Sequence, residues 1–131
     1  MGGVKIIEDD SLRVTDSGFE VRLRYKWYRS LPLSCLEDLQ LTVDGERVDP
    51  GLITLSVNNH TYRLEDMVDL VEENWFILDP AVLAVRWPGK VKPGEEHRID
   101  VSFGMRAPYI RTGPGSFLTI VNRYSTSQVA A

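Results

Sequence analysis

The chain has 131 residues, 43% hydrophobic and 26% charged, with a formal net charge of −4 and a pI near 5.1. That length is enough for one domain, residues 1–131, with a real buried core. The acidic balance excludes the dense basic face that a nucleic-acid binder needs, and no apolar run is long enough to span a bilayer. Neither a nucleic acid nor a membrane is therefore an expected partner.

The first residues, Met1-Gly2-Gly3-Val4-Lys5-Ile6, lack the apolar core of a signal peptide and the Ser or Thr of a myristoylation pattern. Cys35 is the only cysteine, so no internal disulfide can form, which fits a reducing compartment. A cytoplasmic location is the expectation.

Period-2 alternation runs through the chain. Short candidate strands lie at Val4 to Glu8 and Leu12 to Thr15. Phe19, Val21, Leu23, Tyr25 and Trp27 then interleave with Glu20, Arg22, Arg24 and Lys26, the pattern of a half-buried strand. Leu39, Leu41 and Val43 repeat it and end on the turn pair Asp44-Gly45. Ile53, Leu55 and Val57 lead to Asn58-Asn59, residues that tolerate positive φ, before a return strand around Thr61 to Leu64. Leu64, Met67, Val68 and Val71 are spaced as one face of a short helix. Strands follow at Val82 to Trp87, at Ile99 to Arg106 and at Phe117 to Val121. The predicted fold is all-β: an antiparallel two-sheet β-sandwich with one short connecting helix.

Two segments break the alternation. Trp27 to Leu36 and Arg106 to Gly115 are long for hairpin connections and carry Tyr, Arg and Pro. Long loops on a rigid scaffold often bind something, and Tyr beside Arg is the composition of protein–protein hot spots. Trp27, Tyr28, Trp75, Phe76, Trp87 and Tyr109 form a second pool of candidates for stacking, with Trp75 and Trp87 favoured as core.

Catalytic signatures are missing. His60 and His97 stand alone, without a second ligand at metal spacing, and read as surface histidines. Gly113-Pro114-Gly115 lacks the Lys-Ser/Thr of a phosphate loop. The carboxylate clusters, from Glu8-Asp9-Asp10 to Glu72-Glu73, fall mostly in turns and read as solvated charges. Cys35, among leucines and a proline with no cation beside it in sequence, reads as a buried structural thiol.

The stretch from Phe19 to Leu39 with Val43-Asp44-Gly45-Glu46, then Pro88-Gly89, Pro93-Gly94-Glu95-Glu96-His97 and Arg106-Ala107-Pro108-Tyr109, resembles the small subunits of bacterial C-glycoside deglycosidases. The resemblance covers roughly residues 4–125, in strand-and-loop pattern rather than catalytic signature. It implies a β-sandwich that pairs in a hetero-oligomer with a larger TIM-barrel α subunit. That subunit would hold a divalent metal, typically Mn²⁺, and the acid–base residues, leaving no cofactor, metal or catalytic residue on this chain. The complex would cleave the carbon–carbon bond between a 3-oxo sugar and a flavonoid-type aglycone. The ketone acidifies the C2 proton, and elimination after its removal expels the aglycone. Expected contacts with the α subunit, or walls of the aglycone pocket, are Trp27, Tyr28, Arg29, Leu31 and Pro32 in the first loop and Arg106, Pro108, Tyr109 and Arg111 in the second.

Other classes remain open at this point. A stand-alone carbohydrate-binding module also uses a β-sandwich, and requires coplanar exposed aromatics on one face. An Ig-like adhesive domain or an independent small enzyme comes after it.

Overall fold

The computed structural model describes residues 5–131; Val4, where the first expected strand begins, lies outside them. Eleven strands follow in chain order: β1 (Arg13–Val14), β2 (Phe19–Leu23), β3 (Leu31–Pro32), β4 (Leu36–Val43), β5 (Glu46–Arg47), β6 (Ile53–Val57), β7 (His60–Arg63), β8 (Asn74–Trp75), β9 (Ala81–Val85), β10 (Glu96–Gly113) and β11 (Ser116–Val129). They form a five-stranded sheet in the order β1-β2-β9-β6-β7 and a four-stranded sheet in the order β11-β10-β4-β5. A two-stranded sheet, β3-β8, lies apart from both and was not expected. All pairings are antiparallel.

The alternation read from sequence is what closes the two larger sheets on each other. Phe19, Val21 and Leu23 of β2, Leu83 and Val85 of β9 and Ile53 and Leu55 of β6 are buried on one side. Leu41 and Val43 of β4 and Ile99, Val101, Phe103 and Met105 of β10 are buried on the other, in the same cluster. Branched and aromatic side chains at every second position present one apolar face per sheet, and the two faces exclude water from each other. Both expected hairpin turns form: Asp44 (φ 50°) with Gly45 (φ 83°), and Asn58 (52°) with Asn59 (66°). Positive φ at both central residues matches the right-handed twist of the flanking strands.

Several elements differ from expectation. The β2 strand ends at Leu23, although Tyr25 remains buried beyond it and Trp27 half-buried. The expected helix is a 3-10 turn, Leu64–Asp69, joined by two shorter ones at Leu33–Cys35 and Pro50–Leu52. With three residues per turn its apolar seam is Leu64, Met67 and Leu70, so Val68 and Val71 face solvent at 70% and 65% exposure.

The largest difference concerns residues 106–115, which are not a free loop. They belong to a long hairpin in which β10 and β11 keep register from Glu96↔Val129 to Ala107↔Leu118. Its β4 neighbour stops at Met105↔Leu36, so beyond that point the hairpin is a two-stranded ribbon. Pro108 is tolerated there because no third strand needs its N–H. The next pair is Arg111↔Phe117, leaving Pro108, Tyr109 and Ile110 bulged out of the ladder.

Candidate functional site

The bulge decides what the ribbon presents. A β-bulge re-aims side chains that would otherwise alternate across the ladder, and here it turns Tyr109 toward the segment after β2. The Trp27 indole N–H donates to the Tyr109 hydroxyl at 2.5 Å, and the Arg29 guanidinium lies 4.6 Å from the centre of the Tyr109 ring. Trp27 and Tyr28 rings are 4.8 Å apart at 48°. Partial burial, then the neighbouring Tyr28 hydroxyl, raises the pKa of Tyr109 above the usual tyrosine value. The two segments singled out in the sequence thus meet, although Trp27 and Tyr109 are 82 residues apart.

The platform under this cluster is rigid. Tyr25 is buried, and its hydroxyl accepts from the Leu31 N–H at 2.9 Å and donates to the Trp75 carbonyl at 2.6 Å. Lys26 N–H donates to the buried Asn122 side chain at 2.7 Å, anchoring the segment on β11. Burial drives the Tyr25 phenol up to about 12, so it stays protonated and keeps its donor.

The other expected contact residues separate. Leu31 is 1% exposed and belongs to the core, and Pro32 is half-buried on β3 against Asn74. They support the surface rather than form it. Arg106, half-buried, donates to Glu37 and to the Ser34 carbonyl, each at 3.2 Å. Pro108 and Arg111 are exposed on the ribbon, Arg111 lying 6.0 Å from the Phe117 ring. Tyr28 is 68% exposed and Tyr109 43%.

Sequence reading placed Phe76 only in the pool of stacking candidates and missed Leu78 at this end of the molecule. Leu78 is 81% exposed and Phe76 48%. They are tied to the cluster's own segment, since Ile77 N–H donates to Ser30 Oγ at 2.8 Å and Arg24 to the Leu78 carbonyl at 3.0 Å. The available signal was Trp75-Phe76-Ile77-Leu78, an apolar run without alternation, only part of which buries. Exposed apolar side chains contiguous with Tyr and Arg mark a contact surface.

Of the remaining expectations, Trp75 as core, His60 as a surface residue and Cys35 as a buried thiol hold, whereas Trp87 and His97 differ. Trp75 is buried, whereas Trp87 is half-buried under Lys90, 4.9 Å from its ring. His60 is exposed, 3.3 Å from Glu73. His97 is not a surface residue. It is 6% exposed, accepts from the Lys92 N–H at Nε2 (3.3 Å) and lies 2.6 Å from Asp44 through Nδ1. An acceptor role for Nε2 leaves the proton on Nδ1, donated to Asp44. The reason it is inside is tertiary: the Asp44-Gly45 turn folds over it. Cys35 is buried, and burial pushes its thiol up although Arg106 pulls the other way. Among the described residues, no three His, Cys, Asp or Glu side chains are grouped to hold a metal ion. No helix among them is long and apolar enough to cross a membrane.

A sugar-binding platform would need flat, parallel rings, and the 48° tilt of Trp27 against Tyr28 does not provide one. Fold and site define a β-sandwich protein that exposes an aromatic–cationic cluster. The chain belongs to the family of C-glycoside deglycosidase beta subunits, whose model matches residues 4–109. It is 40% identical over 106 residues to the 3'-dehydrocarminate deglycosidase beta subunit of a Microbacterium species, covering 81% of this chain and 79% of that protein. It is 38% identical over 111 residues to a C-glycoside deglycosidase beta subunit of Arthrobacter globiformis, covering 85% and 84%. A beta subunit from Microbacterium trichothecenolyticum is 30% identical over 106 residues.

Proposed function

We propose that this chain is the small subunit of a heteromeric, cytoplasmic C-glycoside deglycosidase and docks on a TIM-barrel α subunit through Trp27, Tyr28, Arg29 and Tyr109. The complex cleaves the carbon–carbon bond of 3-oxo-C-glycosides with flavonoid-type aglycones, as a lyase. The divalent metal, Mn²⁺, and the acid–base groups reside on the α subunit, and this chain is inactive alone. The observation that carries the docking is the convergence of both aromatic–cationic segments on one rigid, exposed spot. Family membership supports the subunit role, and the name of the Microbacterium relative, a 3'-dehydrocarminate deglycosidase beta subunit, supports a dehydrogenated glycoside as substrate.

On this reading the chain has a positioning role. Trp27, Tyr28 and Tyr109 offer large, ordered area at low entropic cost, and the Arg29 guanidinium lies over the Tyr109 ring. Co-expression with an α subunit tests this. Tyr28→Ala with Arg29→Ala should weaken assembly by about 2 kcal/mol per residue, roughly thirty-fold each in Kd, and activity should fall with it. Normal co-purification and turnover in the double variant would remove this surface from the interface.

A further inference from the structure

Imidazole is the side chain that changes charge between about pH 5 and 8, and His97 places one inside the molecule. Its two nitrogens bridge two turns that are distant in sequence. Nδ1 lies 2.6 Å from Asp44 in the β4–β5 hairpin, and Nε2 accepts the Lys92 N–H at 3.3 Å. The second turn, Lys92 to Glu95, is closed by the Glu95 N–H donating to the Lys92 carbonyl at 3.2 Å. It also clasps the residue that follows β11. Gly94 N–H donates to the Ala130 carbonyl at 2.9 Å, and Ala130 N–H to the Glu95 carbonyl at 3.0 Å. Next to it, Ala131 N–H donates to the Leu12 carbonyl and the Val14 N–H donates to Ala131. The bonds that begin at His97 therefore end at β1, where one large sheet is fastened to the other.

Only a neutral ring can hold both turns in this way, because protonated imidazole has no acceptor nitrogen. With a proton on Nε2, the ring and the Lys92 N–H would meet as two donors 3.3 Å apart. Neither would have a partner, which is costly for groups removed from water. The charges around the ring favour the proton instead. Asp44 stands beside Nδ1, and a Glu95 carboxylate oxygen lies 4.0 Å from Nε2. The remaining groups on the facing elements do not offset these two. Lys90 is paired with Glu46 at 2.6 Å, and Arg98 turns to Asp100 at 3.3 Å. Gln128, opposite His97 on β11, carries no charge. Lys92 is the one cation on the turn itself, and it is exposed.

We propose that His97 is a proton-operated latch: protonation exchanges the Lys92 N–H for the Glu95 carboxylate at Nε2, and the turn that shifts to allow this releases Ala130. The proton comes from solvent and stays on the ring, and only hydrogen bonds break and form. The Glu95 side chain is 58% exposed, so it can swing without leaving a buried group behind. It cannot reach Nε2 while the Lys92 N–H occupies that position, so the turn has to move. Gly94 and Glu95, which hold Ala130, belong to the moving segment. The sign follows from linkage. Opening takes up a proton, so it becomes easier as pH falls. Asp44, held low by its bonds to His97 and the Arg98 N–H, stays charged through this window and keeps the ring in place.

Nuclear magnetic resonance of the full-length chain, labelled with ¹⁵N, tests the latch from about pH 7.5 to about 5.5. The His97 Nε2 resonance should titrate, and the Lys92 amide proton should move upfield with the same midpoint. After correction for intrinsic exchange rates, protection at Gly94 and Ala130 should fall about ten-fold per pH unit, the slope of one proton. Leu83, in the core of the five-stranded sheet, should keep its protection. Glu95→Gln removes the receiving carboxylate and should lower the midpoint by about half a pH unit. His97→Asn should abolish the pH dependence at Ala130; should that variant fail to fold, the unmodified chain and Glu95→Gln decide the question. A ring that stays neutral until the protein unfolds, or a Lys92 amide that ignores the ring's titration, would overturn the proposal. So would constant protection at Ala130, a pH dependence that survives in His97→Asn, or an unchanged midpoint in Glu95→Gln. No readout involves activity, an α subunit or the Trp27–Tyr109 surface, so the latch stands or falls apart from the subunit reading.

Discussion

Tyr25 shows how one side chain links core to surface. Its ring packs edge-on against Trp75 at 4.6 Å between centres, while its hydroxyl satisfies a buried N–H on Leu31 and a carbonyl on Trp75. Tyr25→Phe preserves the packing but leaves both backbone groups buried without a partner, at a cost of about 1–3 kcal/mol. Chemical denaturation should show that loss with an unchanged m-value, and weaker assembly should accompany it because Leu31 anchors the segment carrying Arg29. A stability unchanged within error would mean that water replaces the phenol. Tyr25 was legible in sequence as an inward position of an alternating strand. Its hydrogen bonds were not, because their partners come from residues 6 and 50 positions away.

At the scale of elements, alternation and turn chemistry located most strands, and failures cluster where a neighbour changes the rules. The 108–110 bulge is one. Pro108 and Gly113 read as loop punctuation, yet both lie in β10 because the ribbon has outrun β4 and a lost donor costs nothing there. The Asp44-Gly45 hairpin is another, since its turn type was legible and its burial of His97 was not. Asp44 accepts from His97 and from the Arg98 N–H, and the His97 bond foremost holds its carboxyl below the usual aspartate range. A depressed folded-state pKa contributes stability above the unfolded value that is lost as pH falls through the folded one. Melting temperature should therefore drop as pH is lowered through about 4. Asp44→Asn should be less stable at neutral pH and flatter across that window; an identical pH profile would assign the acid sensitivity elsewhere.

For the molecule as a whole, the ends of the chain fasten one sheet to the other. The Gln128 side chain accepts from the Ser11 and Leu12 N–H groups at 3.1 and 2.9 Å and donates to the Glu8 carbonyl at 2.8 Å. It thereby ties the strand that ends the four-stranded sheet to the segment leading into the five-stranded one. Gln128→Leu keeps the volume but strands those backbone groups, so hydrogen exchange at residues 8–14 should accelerate ahead of the β2 and β9 core. Uniform exchange across the molecule would show that the termini do not open separately.

The sequence by itself determined the all-β class, the inward faces of β2, β4, β6 and β10, and the tight turns. These depend on period-2 burial and on local φ preferences, which a chain carries without its neighbours. It also pointed to both segments of the Trp27–Tyr109 cluster and, through the resemblance, to the family. Only the tertiary structure decided that Tyr109 meets Trp27 and Arg29, that His97 goes inside and that Leu31 leaves the surface. It also decided that β11 ends the four-stranded sheet. Each of those outcomes depends on which strand lies beside which, and long-range pairing leaves no mark in the local pattern of either partner.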